Sequence, residues 1–130
     1  MKQQLVTVEM LKKFGEVIEN KGTIQGSFKS QNAEICRLPL EKGYVYEVYT
    51  VIYQGKSSYE SNINSFIFGN NCTVYNAELT RGTGLSGGGV TNSAIVRVDK
   101  DNAYVQCSTY VYDTNIKYYG YIRARKIGIV

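Results

Sequence analysis

The side chains best equipped for chemistry in this 130-residue chain are acidic: Glu34, Glu41, Glu47, Glu60, Glu78, Asp99, Asp101 and Asp113 fall in or beside stretches with strand-like patterning. Two such carboxylates meeting across strands would supply the acid and base of a glycoside hydrolase. The chain contains no histidine, which excludes Ser-His-Asp and Cys-His catalysis and removes the commonest zinc and iron ligand. Acidic residues at strand ends and turns are usually solvated, and no constellation here meets the geometric tests of a site. The expectation is a protein with no catalytic residues, no metal and no cofactor.

Cys36, Cys72 and Cys107 are odd in number and widely spaced, each in a strand-like context. They read as small buried hydrophobes in a chain made in a reducing cytoplasm, not as a disulfide framework. Asn71-Cys72-Thr73 satisfies the glycosylation sequon formally, but Met1 to Val8 has no apolar signal region. No run approaches the length of a membrane span, so membrane insertion is not expected. The net charge of +4 is not gathered into a stripe. Its densest basic run is Arg123, Arg125 and Lys126, and no nucleic-acid module accompanies it, so nucleic acid is not an expected partner.

The stretch Arg81-Gly82-Thr83-Gly84-Leu85-Ser86-Gly87-Gly88-Gly89 has the glycine density of a phosphate-cradling loop. A P-loop needs Gly-Lys-Ser/Thr and a dinucleotide fingerprint needs a helix directly afterwards, whereas Val90-Thr91-Asn92-Ser93-Ala94-Ile95 begins a strand. The stretch therefore reads as a turn between strands or, at its sharpest, as an exposed recognition loop carrying Arg81. A second loop, Gln54 to Asn62, combines Tyr59 with small polar residues in the manner of an adaptable binding surface. Sugars stack apolar ring faces on aromatic side chains, so Tyr59 and Arg81 are the candidate ligand-binding residues.

Tyrosine is the most informative residue type, with twelve in a chain that has four phenylalanines and no tryptophan. In 103–112, Tyr104, Tyr110 and Tyr112 share one parity with Gln106 and Ser108, and Val105, Cys107, Thr109 and Val111 share the other. In 116–125, Tyr119 and Tyr121 alternate with Ile116, Tyr118, Ile122 and Ala124. Both parities are substantially apolar, which points to one face buried in the core and the other against a second subunit. Tyr104, Tyr110, Tyr112, Tyr119 and Tyr121 are the candidate subunit interface.

Elements must hold these residues in place. Met10, Leu11, Phe14, Val17 and Ile18 recur at helical spacing with Lys12, Lys13, Glu16 and Glu19 opposite, Thr7 suited to the cap and Gly22 to the end. This predicts a helix from about Thr7 to Lys21. It is too short for an independent coiled coil, so Leu11, Phe14 and Ile18 should dock it on the β domain or on a partner. After Gly22 the period falls to two, with runs at 23–30, 34–38, 44–54, 60–68, 72–80, 90–99, 103–112 and 116–127. Turn residues separate them at Glu41-Lys42-Gly43, Gln54-Gly55-Lys56, Gly69-Asn70-Asn71, Asp99-Lys100-Asp101-Asn102 and Asp113-Thr114-Asn115. About eight short strands predict a sandwich or barrel. Residues 1–22 form the docking helix and 23–130 the β domain.

The opening Val6-Thr7-Val8-Glu9-Met10-Leu11-Lys12-Lys13-Phe14 resembles the helical lead-in of small tail-fibre and baseplate-associated proteins of bacteriophages. Leu38-Pro39-Leu40-Glu41-Lys42-Gly43-Tyr44-Val45-Tyr46 is similar to the entry to a long strand in their compact head domains. Tyr119-Gly120-Tyr121-Ile122-Arg123-Ala124-Arg125-Lys126-Ile127 is similar to their last strand. These heads share their architecture with C1q- and tumour-necrosis-factor-like trimers. The resemblance covers most of the chain and implies an antiparallel jelly-roll sandwich of about eight strands, assembled as a homotrimer. It further implies a place in the virion after synthesis in the host cytoplasm, contact with other virion proteins through the N-terminal helix, and contact with host cell-surface glycan. The rival readings are a free-standing carbohydrate-binding, lectin-like module and a carboxylate-dependent glycoside hydrolase.

Overall fold

The structure, a computed structural model, describes residues 8–25, 31–55, 61–75, 80–84, 89–111 and 116–130. Among these, one helical turn, α1 (Val8–Lys12), precedes nine strands. They are β1 (Val17–Gln25), β2 (Gln31–Leu40), β3 (Tyr44–Gln54), β4 (Ser61–Asn70), β5 (Thr73–Tyr75), β6 (Thr80–Gly84), β7 (Gly89–Arg97), β8 (Ala103–Val111) and β9 (Lys117–Ile129).

Period-two alternation sets the faces of each strand. Along β3, Tyr44, Tyr46, Val48, Thr50, Ile52 and Gln54 are buried while Glu47, Tyr49, Val51 and Tyr53 point outward. The strands pair antiparallel into a five-stranded sheet, β1-β9-β3-β7-β5, and a four-stranded sheet, β2-β8-β4-β6. Their inner faces meet in one core around Tyr46, Ile52, Ile63, Val105, Tyr118 and Ile122. Thr50, Ser65 and Asn92 add a buried polar seam, with the Asn92 amide donating to the Ser65 carbonyl across the sheets at 3.3 Å.

Odd-numbered β1, β3, β7 and β9 lie in one sheet and β2, β4, β6 and β8 in the other, which is the jelly-roll arrangement. These are the expected eight strands. The ninth, β5, is three residues long and adds to the edge beside β7. The run read as one strand over 72–80 therefore divides between β5 and β6, which join different sheets. The glycine-rich stretch is likewise not all loop: Arg81 to Gly84 lie in β6, paired with β4, and Gly89 opens β7.

Tertiary pairing overrides the long helix predicted at the N-terminus. The helix stops at Lys12, and Gly15 turns the chain with a left-handed φ of 81°. Val17 to Gln25 then pair in register with β9, and Ile18 and Ile24 pack on the core. The ladder supplies backbone partners along nine residues, against a helix preference of roughly a few tenths of a kcal/mol per residue. The boundary between a helical 1–22 and a β domain from 23 moves accordingly. Ile18 belongs to a strand, and Gly22 lies inside it.

The remaining turn is fastened to β9. The Gly15 N–H donates to the Lys126 carbonyl at 2.9 Å, and the Lys126 N–H donates to the Glu16 carbonyl at 3.1 Å. The Lys126 side chain is only 3% exposed; its ammonium reaches Glu41 at 2.7 Å, Glu16 at 3.0 Å and the Tyr44 ring at 4.4 Å. Lys13 closes the cluster at 2.8 Å from Glu41.

At one point the sheets come unusually close. A bulge in β2 between Glu34 and Cys36 turns Ile35 and Cys36 both inward. Facing Ile35, Gly22 and Gly120 pair across β1 and β9. A Cβ on Gly22 would overlap the Ile35 carbonyl oxygen, and one on Gly120 would lie 2.7 Å from Ile35 Cγ2. Only residues without side chains permit this approach. Gly120→Ala should therefore destabilise the fold by about 1–3 kcal/mol, the usual cost of overpacking. In an Ile35→Ala background the same methyl should cost much less, and urea unfolding of the four-protein cycle measures the coupling. Simple additivity would refute the contact.

Candidate functional site: a tyrosine-lined groove

With no side chains at Gly22 and Gly120, β1 and β9 sink toward Ile35, and the outward surface of the five-stranded sheet is hollowed at the same place. The groove has a volume of about 600 Å³ and is walled by Lys21, Thr23, Val51, Tyr53, Tyr119 and Tyr121, with Gly22 and Gly120 also lining it. Strand register delivers the walls: Tyr119 pairs with Thr23 on one side and Tyr53 on the other, and Tyr121 with Lys21 and Val51.

The Tyr53 and Tyr119 rings stack with centroids 5.1 Å apart and planes 9° from parallel, and Lys117 Nζ lies 5.3 Å from the Tyr119 centroid. Tyr53 is 42% exposed, so much of its ring is open. The Tyr121 hydroxyl donates to Glu19 at 2.6 Å, and this carboxylate holds the phenol above its ordinary pKa. Farther along β9 a smaller hollow of about 310 Å³ is lined by Val17, Glu19, Glu47, Tyr121, Arg123 and Arg125, with charges of both signs. Among the described residues the Lys21 ammonium joins none of the ion pairs, and neither do Lys117 and Arg123 on the same face, which lie instead by the Tyr119 and Tyr49 rings.

The tyrosines expected at one interface separate. Tyr119 and Tyr121 lie on the outer face of the five-stranded sheet, Tyr104 and Tyr110 on the outer face of the four-stranded sheet, and Tyr112 lies outside the described residues. On the second face Phe66 and Phe68 stack at 5.6 Å. Nearby, Arg37 donates to both Glu34 oxygens and its guanidinium lies 4.1 Å over Tyr104, while the Gln106 amide donates to Glu34 at 2.8 Å.

Of the two candidate ligand-binding residues, Tyr59 lies outside the described residues. Arg81 is inside β6, its backbone paired with Asn64, not at a loop tip. The described strand ends that flank the two expected recognition loops lie at one end of the sandwich, because Tyr53 pairs with Gly89 and Ser61 with Gly84. The stacked Tyr53–Tyr119 pair is at that end. At the other end Leu11 and Phe14 are exposed.

Four described carboxylates of the candidate set stand on separate faces and turns, each beside a cation: Glu34 by Arg37, Glu41 by Lys126 and Lys13, Glu47 by Arg125, Asp99 by Arg97. Asp101 is exposed in the β7–β8 turn, and Glu60, Glu78 and Asp113 lie outside the described residues. Hydrogen bonds from Lys126 and Lys13 lower the Glu41 pKa, and those from Arg37 and Gln106 lower that of Glu34. The acid of a glycosidase needs the opposite shift. Cys36 and Cys107 are buried directly opposite each other across β2 and β8, and Cys72 is half-buried. The hydrogen bond with Cys36, reinforced by burial, pushes the Cys107 thiol above its ordinary range.

Sequence reasoning missed the groove. The predicted helix takes in Lys21 and ends at Gly22, and Tyr53 falls unremarked inside the run at 44–54. The available signal was a pair of glycines inside strand-like patterns, at 22 and 120, which marks close backbone approach. The fold defines the class as an antiparallel β jelly-roll sandwich. Comparison with family models, curated proteins and solved structures found no match.

Glu34 and Glu41 have folded pKa values below their ordinary 4.5. Their stabilisation is therefore complete above the unfolded value and is lost as the pH falls through the folded ones. A Glu34→Gln/Glu41→Gln protein should be less stable than wild type at neutral pH and converge with it in acid. Urea midpoints measured from neutral pH down past 4.5 check this, and parallel curves would contradict it.

Proposed function

We propose that the chain is a non-enzymatic recognition protein of the phage fibre, decoration or receptor-binding kind, a homotrimer whose heads present the groove to host or particle surfaces. The observation that carries this reading is the contrast between the two outer sheet faces. On the four-stranded face Phe66, Phe68 and Tyr104 are exposed or half-buried, and the charges among them satisfy one another through Glu34, Arg37 and Gln106. Among the described residues, covering the cluster around Tyr104 strands no charge, which is the usual obstacle to burying a polar sheet surface. The five-stranded face keeps a concave aromatic site lined by Lys21, which joins no ion pair among the described residues, the character of a ligand site.

Assembly is therefore assigned to Tyr104, Tyr110, Phe66 and Phe68, and recognition to Tyr53, Tyr119 and Tyr121. A cyclic trimer buries one such face per chain and repeats the recognition site three times. Leu11 and Phe14, exposed beside the fastened α1 turn, are apolar contacts for another virion protein. The jelly-roll topology supports the fibre-head reading, and the resemblance of the segments 6–14, 38–46 and 119–127 supports the virion location.

Light scattering on the purified chain should give three times the 14.6 kDa chain mass at micromolar concentration. A Phe68→Glu/Tyr104→Ala protein should remain folded by circular dichroism but dissociate. Losing anchors of this size costs about 2 kcal/mol or more, roughly thirtyfold in affinity. A wild-type monomer would sink the trimer and favour the free-standing lectin-like module.

A further inference from the structure

The chemistry of the groove points to a class of ligand, and this inference rests on reading the five-stranded face as the recognition face. We propose that the groove binds an acidic sugar, a pyranose bearing a carboxylate, with its ring on the Tyr53–Tyr119 platform and its carboxylate on Lys21.

Four features of the site select this chemistry. The platform is aromatic and partly open: Tyr53 stacks on Tyr119 at 5.1 Å and is 42% exposed, which suits the apolar face of a sugar ring. Lys21 is the one charged residue lining the groove, without an ion-pair partner among the described residues. The carboxylate two residues away along β1, Glu19, accepts the Tyr121 hydroxyl at 2.6 Å. Tyr121 and Thr23 set hydroxyl groups beside the platform, where sugar hydroxyls need partners. A volume of about 600 Å³ lies within the range of small-ligand sites.

The same geometry disfavours other occupants. β9 and β3 at the base of the groove are hydrogen-bonded to neighbours on both sides, so a peptide strand could extend this sheet only along the outer edge of β1, not over the tyrosine platform. Their backbone N–H groups are engaged in the ladder and form no nest for a phosphate, which binds best to several converging donors. A carboxylate needs less, and a single lysine provides a point charge for it.

The test uses the full chain and two probes that differ only in charge, trigalacturonate and its fully methyl-esterified form, titrated by ¹H–¹⁵N NMR at low salt. Both should shift the resonances of β1, β9 and β3 around the groove. Trigalacturonate should bind about fivefold more tightly, the scale of one exposed ion pair, and the advantage should shrink as salt is added. Lys21→Met should abolish the difference while retaining binding of the ester. Tyr53→Ala should weaken both probes by about tenfold or more, in line with the loss of an aromatic stacking surface. Equal affinity of the two probes, an undiminished preference in Lys21→Met, or no saturable shift at millimolar concentrations would overturn the proposal. Light scattering on the same samples keeps the readings distinct. A trimer that binds neither probe refutes the acidic-sugar assignment alone, whereas a wild-type monomer that binds both refutes the trimer and leaves the groove chemistry in place.

Discussion

The hydrogen-bonded ladder along β9 is the constraint on which most of the molecule depends. This strand, the longest of the nine, lies between β1 and β3 and is paired with both along most of its length. Its inward residues Tyr118, Ile122 and Ala124 belong to the core, while its outward Tyr119 and Tyr121 wall the groove. Gly120, between those tyrosines, allows the sheet to sink onto Ile35. Near its far end Lys126 fastens the N-terminal turn by backbone and side chain together. One run of alternating residues thus fixes core, groove and anchor at once, and a one-residue slip in register would exchange all three.

The two outer faces look alike in composition and differ in how their polar groups are satisfied. Both carry aromatic rings with cationic side chains over them, at Arg37 on Tyr104 and at Arg123 on Tyr49. On the four-stranded face the surrounding polar atoms close into a local network, so removing water leaves few groups without partners. The five-stranded face has the Arg125–Glu47 pair toward one end of β9, while among the described residues Lys21, Lys117 and Arg123 join no ion pair. Aromatic content alone does not separate an assembly surface from a binding site; the bookkeeping of hydrogen bonds and charges does.

Much of this was legible in the sequence. The parity of Tyr118, Ile122 and Ala124 against Tyr119 and Tyr121 is the parity observed, and so is that of Val105, Cys107 and Val111. Turn chemistry placed the reversals at Gly43, Asn71 and Asn102, each with a positive φ. The N-terminal segment misled because Met10, Leu11, Phe14, Val17 and Ile18 fit a helical stripe, while its partner strand lies at the far end of the chain. No local pattern reveals that pairing. The groove was hidden for the same reason: Lys21, Tyr53 and Tyr119 become neighbours only once β1 and β3 flank β9. The bulge at Ile35 that completes it leaves no mark in the alternation beyond two adjacent apolar residues.

The place of β9 in the five-stranded sheet also bears on how the protein is made. β1 and β3 are made well before β9, yet they do not pair with each other; the strand that joins them is the last of the nine described. Until it arrives, the inner face of β3 has no completed sheet, and Val17 has no partner at Arg125. Such topology favours slow folding, on the millisecond-to-second scale of all-β domains, because distant segments must meet before their contacts repay the lost chain entropy. The nascent chain therefore exposes unpaired, tyrosine-rich strands until β9 has been made, and the sandwich closes only from that point on.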